Sequence, residues 1–204
     1  MAFNIEFFGQ LGNDAGEFNP FMYLEGYMKQ FVLLANYNQW MNESIYSVCQ
    51  EMGQEKIELD QQAFFSSILK TLNHILIADT FWLYRCSGSN LLNTMVDESG
   101  QEIKVKQLDQ IIFRSIDALY GVRKELDQKI IDYVEGVQES EINKDVEYRS
   151  SLGQTLTRPL GAILAHWFNH QTHHRGQITT LIHQQGYDFG TTDLILMDDV
   201  FPKG

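Results

Sequence analysis

Four of the six histidines lie within nine residues of one another, at positions 166, 170, 173 and 174. His170 and His174 are four residues apart, so on an α-helix they face the same side with Cβ atoms roughly 5–6 Å apart. Two imidazoles at that separation can bind one metal ion, but a stable site needs a third ligand from a neighbouring element. His74 is the one histidine far from this segment and from His183 just behind it. The pattern therefore predicts a metal site formed by His74, His170 and His174.

Three histidine ligands would leave at least one coordination position open, which is typical of catalytic rather than structural metal sites. Neutral imidazole suits zinc, nickel, copper and iron, and we expect a divalent transition metal, zinc or nickel first. A fourth ligand, from His166 or His173, would instead indicate a closed site that only joins two helices. A further interpretation treats the pair as polar residues at the edge of a core. The spacing of the histidines does not distinguish between these three interpretations.

The histidine cluster belongs to a long amphipathic pattern from Pro159 to Gly186, which predicts one helix of about seven turns. Three earlier segments also show helical spacing of apolar residues, and they predict helices over 23–52, 61–86 and 108–134, the second of them capped by Asp60. Residues 87–106 and 136–157 are long connections, and the latter would allow a short hairpin through 147–149 and 152–154. Four long helices predict an all-α fold, a four-helix bundle.

The predicted organisation is an N-terminal arm (1–20), the bundle (21–186) and a tail (187–204) whose apolar residues 194–197 pack on the bundle. The net charge of −12 argues against nucleic-acid or anionic-membrane partners. No apolar run approaches the roughly 20 residues that span a membrane, and residues 1–20 do not read as a secretory signal. The two cysteines are expected to be buried and reduced, and the protein to be cytoplasmic.

Several polar residues near the histidines have two interpretations each. Asp79 could be an acceptor behind a metal ligand, but it lies about 140° round the helix from His74, so pairing across the bundle is equally open. His166 and His173 could act as a base or simply face solvent. We also expect three amide side chains to line a pocket: Asn38, Gln171 and Gln177.

The run 169–177, NHQTHHRGQ, resembles the NHxxHHRGQ signature of the DinB/YfiT-like family. Residues 72–79 with Trp82 resemble the family's second-helix motif, and residues 36–42 resemble its first-helix motif. Tyr148, Arg149 and Gly153 also agree, and the motifs arrive in the family order over most of 23–186. The resemblance implies a four-helix bundle with long crossover connections, metal-binding histidines at positions 74, 170 and 174, and a homodimer.

The resemblance also implies a class of chemistry. Family members with known activities are similar to metal-dependent transferases of bacillithiol, mycothiol or glutathione, or to isomerases that use such thiols. We therefore expect a metal-dependent enzyme that transfers a low-molecular-weight thiol cofactor to an electrophilic small-molecule substrate, or one that hydrolyses a small molecule. The alternative is a non-catalytic metal-binding protein with a stress-response or scaffold role.

Overall fold

The computed structural model describes residues 26–88, 96, 100, 101, 103, 105, 107–150 and 153–197. The predicted arm (1–20) lies outside the described residues. In chain order the elements are α1 (Tyr27–Met52), the short α2 (Gln54–Glu58), α3 (Ile68–Ser87), α4 (Ile116–Gly136), β1 (Asp145–Arg149), β2 (Thr155–Pro159) and α5 (Leu160–Gln184). Single turns of 3-10 helix lie at Glu139–Glu141 and Leu194–Leu196.

The four long helices form a closed ring of contacts. α1 packs against α4 and α5, and α3 packs against the same two helices. α1 therefore lies diagonally opposite α3, and α4 lies diagonally opposite α5. The chain crosses the bundle diagonally between α1 and α3, and again between α4 and α5. This arrangement confirms the predicted all-α four-helix bundle with crossover connections, and it makes α3 and α5 neighbours.

An ion-pair network lies inside this bundle and joins all four long helices. The Arg123 guanidinium of α4 donates to Asp79 Oδ2 of α3 at 2.6 Å and to Asp127 Oδ1 at 2.7 Å. Trp167 Nε1 of α5 donates to Asp79 Oδ1 at 2.8 Å, and Asn42 of α1 donates to Asp127. All five side chains are buried. Asp79 therefore pairs across the bundle, as the second interpretation of this residue expected.

α3 begins at Ile68 and not at position 61, so the predicted start of the second helix is wrong. Its N-cap is Ser67, whose Oγ accepts the N–H of Lys70 at 3.2 Å. Asp60 accepts the N–H of Gln62 in a turn instead of capping a helix. Gln62 (φ 55°) and Ser66 (φ 61°) adopt left-handed conformations that a right-handed helix cannot include.

α4 begins at Ile116 and not at position 108, so this predicted start is also wrong. The helix is capped by Ser115, whose Oγ accepts the N–H of Ala118. The preceding segment is non-helical because the buried side chain of Asn73 holds it. Asn73 Oδ1 accepts from the backbone N–H groups of residues 112 and 113 at 2.8 and 2.9 Å, and its Nδ2 donates to the Phe113 carbonyl at 3.0 Å.

The predicted start of the first helix, at position 23, lies outside the described residues, and the remaining helix ends lie within two residues of the predicted ones. α5 ends at Gln184, and Gly186 follows in the left-handed region (φ 83°) where glycine is favoured. A hairpin is present, with its strands at 145–149 and 155–159 and Tyr148 opposite Leu156, so the predicted second strand at 152–154 is wrong. Met197 of the tail is buried, whereas Ile195 is 71% exposed.

Neither described cysteine forms a disulfide; Cys49 is buried and Cys86 is half-buried. Among the described helices, none combines the length and apolar character needed to cross a bilayer.

Candidate metal centre

The three predicted histidines meet between α3 and α5. His170 Nε2 lies 3.3 Å from His74 Nε2 and 3.1 Å from His174 Nε2. One ligand atom from each ring lies within 4.8 Å of the other two. Nitrogens bound to one tetrahedral zinc ion at about 2.0–2.1 Å would lie roughly 3.3–3.4 Å apart. The cluster therefore could hold a metal ion.

Hydrogen bonds fix the tautomers of two of these rings. His74 Nδ1 lies 2.8 Å from the Leu108 carbonyl oxygen, which can only accept, so Nδ1 carries the proton. His174 Nδ1 donates in the same way to Gln177 Oε1 at 2.8 Å. In both neutral rings the Nε2 lone pair is consequently directed at the shared point. Outer partners of this kind orient histidines in known metal sites.

His170 lies in the middle of the cluster and differs from the other two rings. Its Nδ1 is buried and has no hydrogen-bond partner among the described residues. Burial, and then the neighbouring His174, lower the pKa of His170 to about 4. Burial also lowers the pKa of His74 and of His174. All three imidazoles are therefore neutral at pH 7, the form in which imidazole binds a metal.

The loop before α3 covers one side of the cluster. The Phe65 ring stacks on His74, with ring centroids 4.1 Å apart, and lies 5.5 Å from His174. The two left-handed residues on either side of Phe65 give the loop the shape that places the ring there. The next residue back, Phe64, is 85% exposed. Both phenylalanines fall within the predicted second helix (61–86), but neither belongs to α3.

A cleft of about 1270 Å³ reaches the cluster from the other side. It is lined by His74 and His170, by residues one to three turns further along α3, by the first two turns of α5, and by the β-hairpin. Three of the lining side chains carry rings and form one contact group. These are Trp82, Tyr148 and His166, with Trp82 in edge contact with both of the others.

The structure separates the remaining candidate residues. His166 lines the cleft, whereas His173 is exposed and makes an edge-to-face contact with His174. Within the described part of the chain, neither supplies a fourth ligand to the cluster. None of the three amides predicted to line a pocket lines this cleft: Asn38 and Gln171 are buried in the core, and Gln177 lies outside the cleft lining.

Sequence reasoning did not find Phe65, Leu108 or the hydrogen-bonding role of Gln177. Gln177 was identifiable in principle because it follows His174 by three residues, one helical turn. The Leu108 carbonyl carried no sequence signal, since its position depends on the non-helical segment held by Asn73.

Comparison with known proteins agrees with the fold and with the motifs. The family model described as the DinB family matches residues 25–200. Protein DinB of Bacillus subtilis (strain 168) is 26% identical over 160 residues, which are 78% of this chain and 88% of that protein. The crystal structure of a DinB-like protein from Bacillus cereus ATCC 10987 is similar with a TM-score of 0.53. It is 16% identical, and the match covers 82% of this chain and 95% of that chain. The chain belongs to the DinB family.

Proposed function

We propose that the protein is a metal-dependent enzyme that transfers a low-molecular-weight thiol to an electrophilic small molecule. Hydrolysis of a small molecule is the second reaction that the same site would permit. The observation that supports the proposal is the meeting of three neutral imidazoles at the wall of a large cleft. A purely structural metal site would need a fourth protein ligand, and the described residues offer none at this cluster.

His74, His170 and His174 would hold the ion, with zinc or nickel as the expected metals. Because all three ligands are neutral, a bound divalent ion would keep its full positive charge and lower the pKa of a coordinated thiol or water. Leu108 and Gln177 hold two of the rings in the binding tautomer.

The size of the cleft favours transfer between two molecules. Sites for a single drug-sized ligand measure about 300–1,000 Å³. The cleft is larger, at about 1270 Å³. It therefore has room for a thiol and an electrophile together, whereas hydrolysis needs room for one substrate and a water molecule.

In the proposed transfer, the thiol sulfur forms a bond to the electrophilic carbon. The bond from that carbon to its leaving group breaks, and the leaving group takes the electron pair. The thiol proton passes to His166, which lines the cleft one turn before His170 on α5, and from there to solvent. Phe65 limits access of water to the opposite side of the histidines.

Turnover can be tested with zinc-loaded and nickel-loaded protein, several thiols and 1-chloro-2,4-dinitrobenzene, whose thioether product absorbs light. We expect a rate above the uncatalysed reaction that is lost in His170→Ala and retained in His183→Ala, an exposed histidine near the end of the same helix. Metal binding without turnover of any thiol would refute transfer and favour the scaffold role. The homodimer implied by the family resemblance is also a proposal, to be checked by sedimentation.

A further inference from the structure

Three arginines line the cleft away from the histidines, although the chain as a whole carries a net charge of −12. They are Arg85 on α3, Arg149 at the end of β1 and Arg158 on β2. Arg85 follows His74 by eleven residues, which is about three helical turns, or about 16 Å along the helix axis on the same face. One cleft therefore has the metal-site histidines in one region and a group of cations in another.

The Arg85 guanidinium contacts three aromatic rings, those of Phe81, Trp82 and Tyr148. Its guanidinium carbon lies 4.5 Å from the centroid of Trp82 and 5.2 Å from that of Tyr148. Trp82 precedes Arg85 by one turn, so the side chain leans back along α3 toward His74. One nitrogen, Nη2, donates to the Arg149 carbonyl at 3.1 Å. No other hydrogen bond to a described residue uses the remaining N–H donors.

The two hairpin arginines are exposed, and their hydrogen bonds to described residues go to backbone carbonyls. Arg149 donates to the Gly153 carbonyl at 3.4 Å, and Arg158 donates to the Thr157 carbonyl at 2.7 Å. One carboxylate, Glu147, lines the same cleft. Among the described residues, however, no carboxylate lies within ion-pair distance of any of the three guanidinium groups.

We infer that Arg85, Arg149 and Arg158 form a subsite for the carboxylate groups of an acidic, peptide-sized thiol. The guanidinium fork matches a carboxylate with two parallel hydrogen bonds, and aromatic stacking presents the fork of Arg85 in a fixed orientation. Arg85 leans back onto Trp82, a residue about 12 Å along the helix axis from His74, and an extended tripeptide spans about 10 Å. Such a molecule could therefore place its carboxylates at the arginines and its thiol toward the histidines. The position of the thiol rests on the proposed function, but the carboxylate subsite does not.

The test uses metal-free protein and a probe without a free thiol, so that the histidine site plays no part. S-methylglutathione carries two carboxylates, and its diethyl ester carries none. Titration calorimetry should show the acid binding at least about tenfold more tightly than the ester, as expected for hydrogen bonds to charged groups. Equal affinity, or no binding of the acid, would overturn the inference.

Substitution of the cleft arginines tests whether they bind the carboxylates. Arg149→Gln with Arg158→Gln, both at exposed positions, should weaken binding of the acid about tenfold and leave the ester unchanged. Arg85→Gln should do the same, and thermal melting followed by circular dichroism checks its fold because the side chain also packs on Trp82. Arg114→Gln, an exposed arginine outside the cleft, is the matched control and should bind like wild type. If Arg114→Gln weakened binding as much as the cleft variants, the inference would also be wrong.

The carboxylate subsite and the proposed function can fail separately. Loss of binding in the cleft variants without thiol transfer by the wild type would keep the subsite and refute the transferase. Thiol transfer with equal KM for glutathione in wild type and in the double hairpin variant would keep the transferase and refute the subsite.

Discussion

Gln177 offers a sharp test of how the cluster is organised, because its Oε1 accepts from a proposed metal ligand while its Nε2 contacts only the exposed His173, at 3.4 Å. Gln177→Ala removes the oxygen that accepts from His174 Nδ1–H at 2.8 Å. The His174 side chain is only 7% exposed, so water would not easily replace that acceptor. Losing an outer partner of a metal-binding histidine usually lowers metal affinity about 10- to 100-fold, or about 1.4–2.7 kcal/mol. An unsatisfied buried donor costs a similar amount, about 1–3 kcal/mol.

The assay is a competition titration of zinc between the protein and a chromophoric chelator. We expect Gln177→Ala to bind zinc 10- to 100-fold more weakly. Gln177→Glu should bind at least as tightly as wild type, since a carboxylate accepts the same hydrogen bond more strongly. Gln184→Ala, an exposed glutamine two turns further along α5, is the control. Unchanged affinity in Gln177→Ala would refute the view that this side chain fixes the tautomer of His174.

Three further predictions concern the body of the bundle. Asp79→Asn should lower the free energy of unfolding in urea by about 3 kcal/mol, because it leaves Arg123 with one carboxylate partner in the core; a loss below about 1 kcal/mol would contradict this. Burial raises the pKa of Cys49 and of Cys86 to about 12, so both thiols should react with Ellman's reagent at pH 8 far more slowly in the native than in the urea-unfolded protein. These folded-state pKa values lie above the unfolded value of about 8.5. The free energy of unfolding contributed by the two buried thiols is therefore fully present below pH 8.5 and declines as the pH rises toward 12. A free energy of unfolding that did not decline above pH 9 would be inconsistent with burial of both thiols. Gly161→Ala should lower the melting temperature, because a Cβ there would lie 2.7 Å from an isoleucine side chain and 3.2 Å from its carbonyl oxygen; an unchanged melting temperature would show that this contact relaxes freely.

The sequence predicted the features that follow from periodicity within one helix. The spacing of His170 and His174 and the apolar stripe around them placed α5 to within two residues at each end. The choice of His74 as the third ligand relied on the same logic, since a mid-helix histidine in a bundle can lie level with a neighbouring helix. Adjacent packing of α3 and α5 brings these residues together.

The two wrong helix starts have a common physical cause. Phe64 and Phe65 before α3, and Leu108 before α4, continue the apolar pattern at helical spacing, but tertiary contacts hold their segments out of the helix. Phe65 packs on the histidines, and Leu108 offers its carbonyl to His74. The periodicity of apolar residues along one segment does not reveal contacts with distant residues. The backbone departs from the helix where those contacts form.

The arginines of the cleft could not be grouped from sequence for a related reason. Arg85 lies on α3, whereas Arg149 and Arg158 lie on a hairpin more than sixty residues later. Only the packing of β1 against α3 and the antiparallel register of the hairpin bring them to one cleft. The same packing places Tyr148 against Trp82 and Arg85.

The central claim is that His74, His170 and His174 bind one transition-metal ion, and metal content measures it most directly. Wild type, His74→Ala, His170→Ala and the control His183→Ala would be equilibrated with zinc, desalted and analysed for metal. We expect roughly one ion per chain in wild type and in His183→Ala, and little in the other two variants. Full metal content in His74→Ala would contradict a site shared between α3 and α5, and the histidine cluster would then need another explanation.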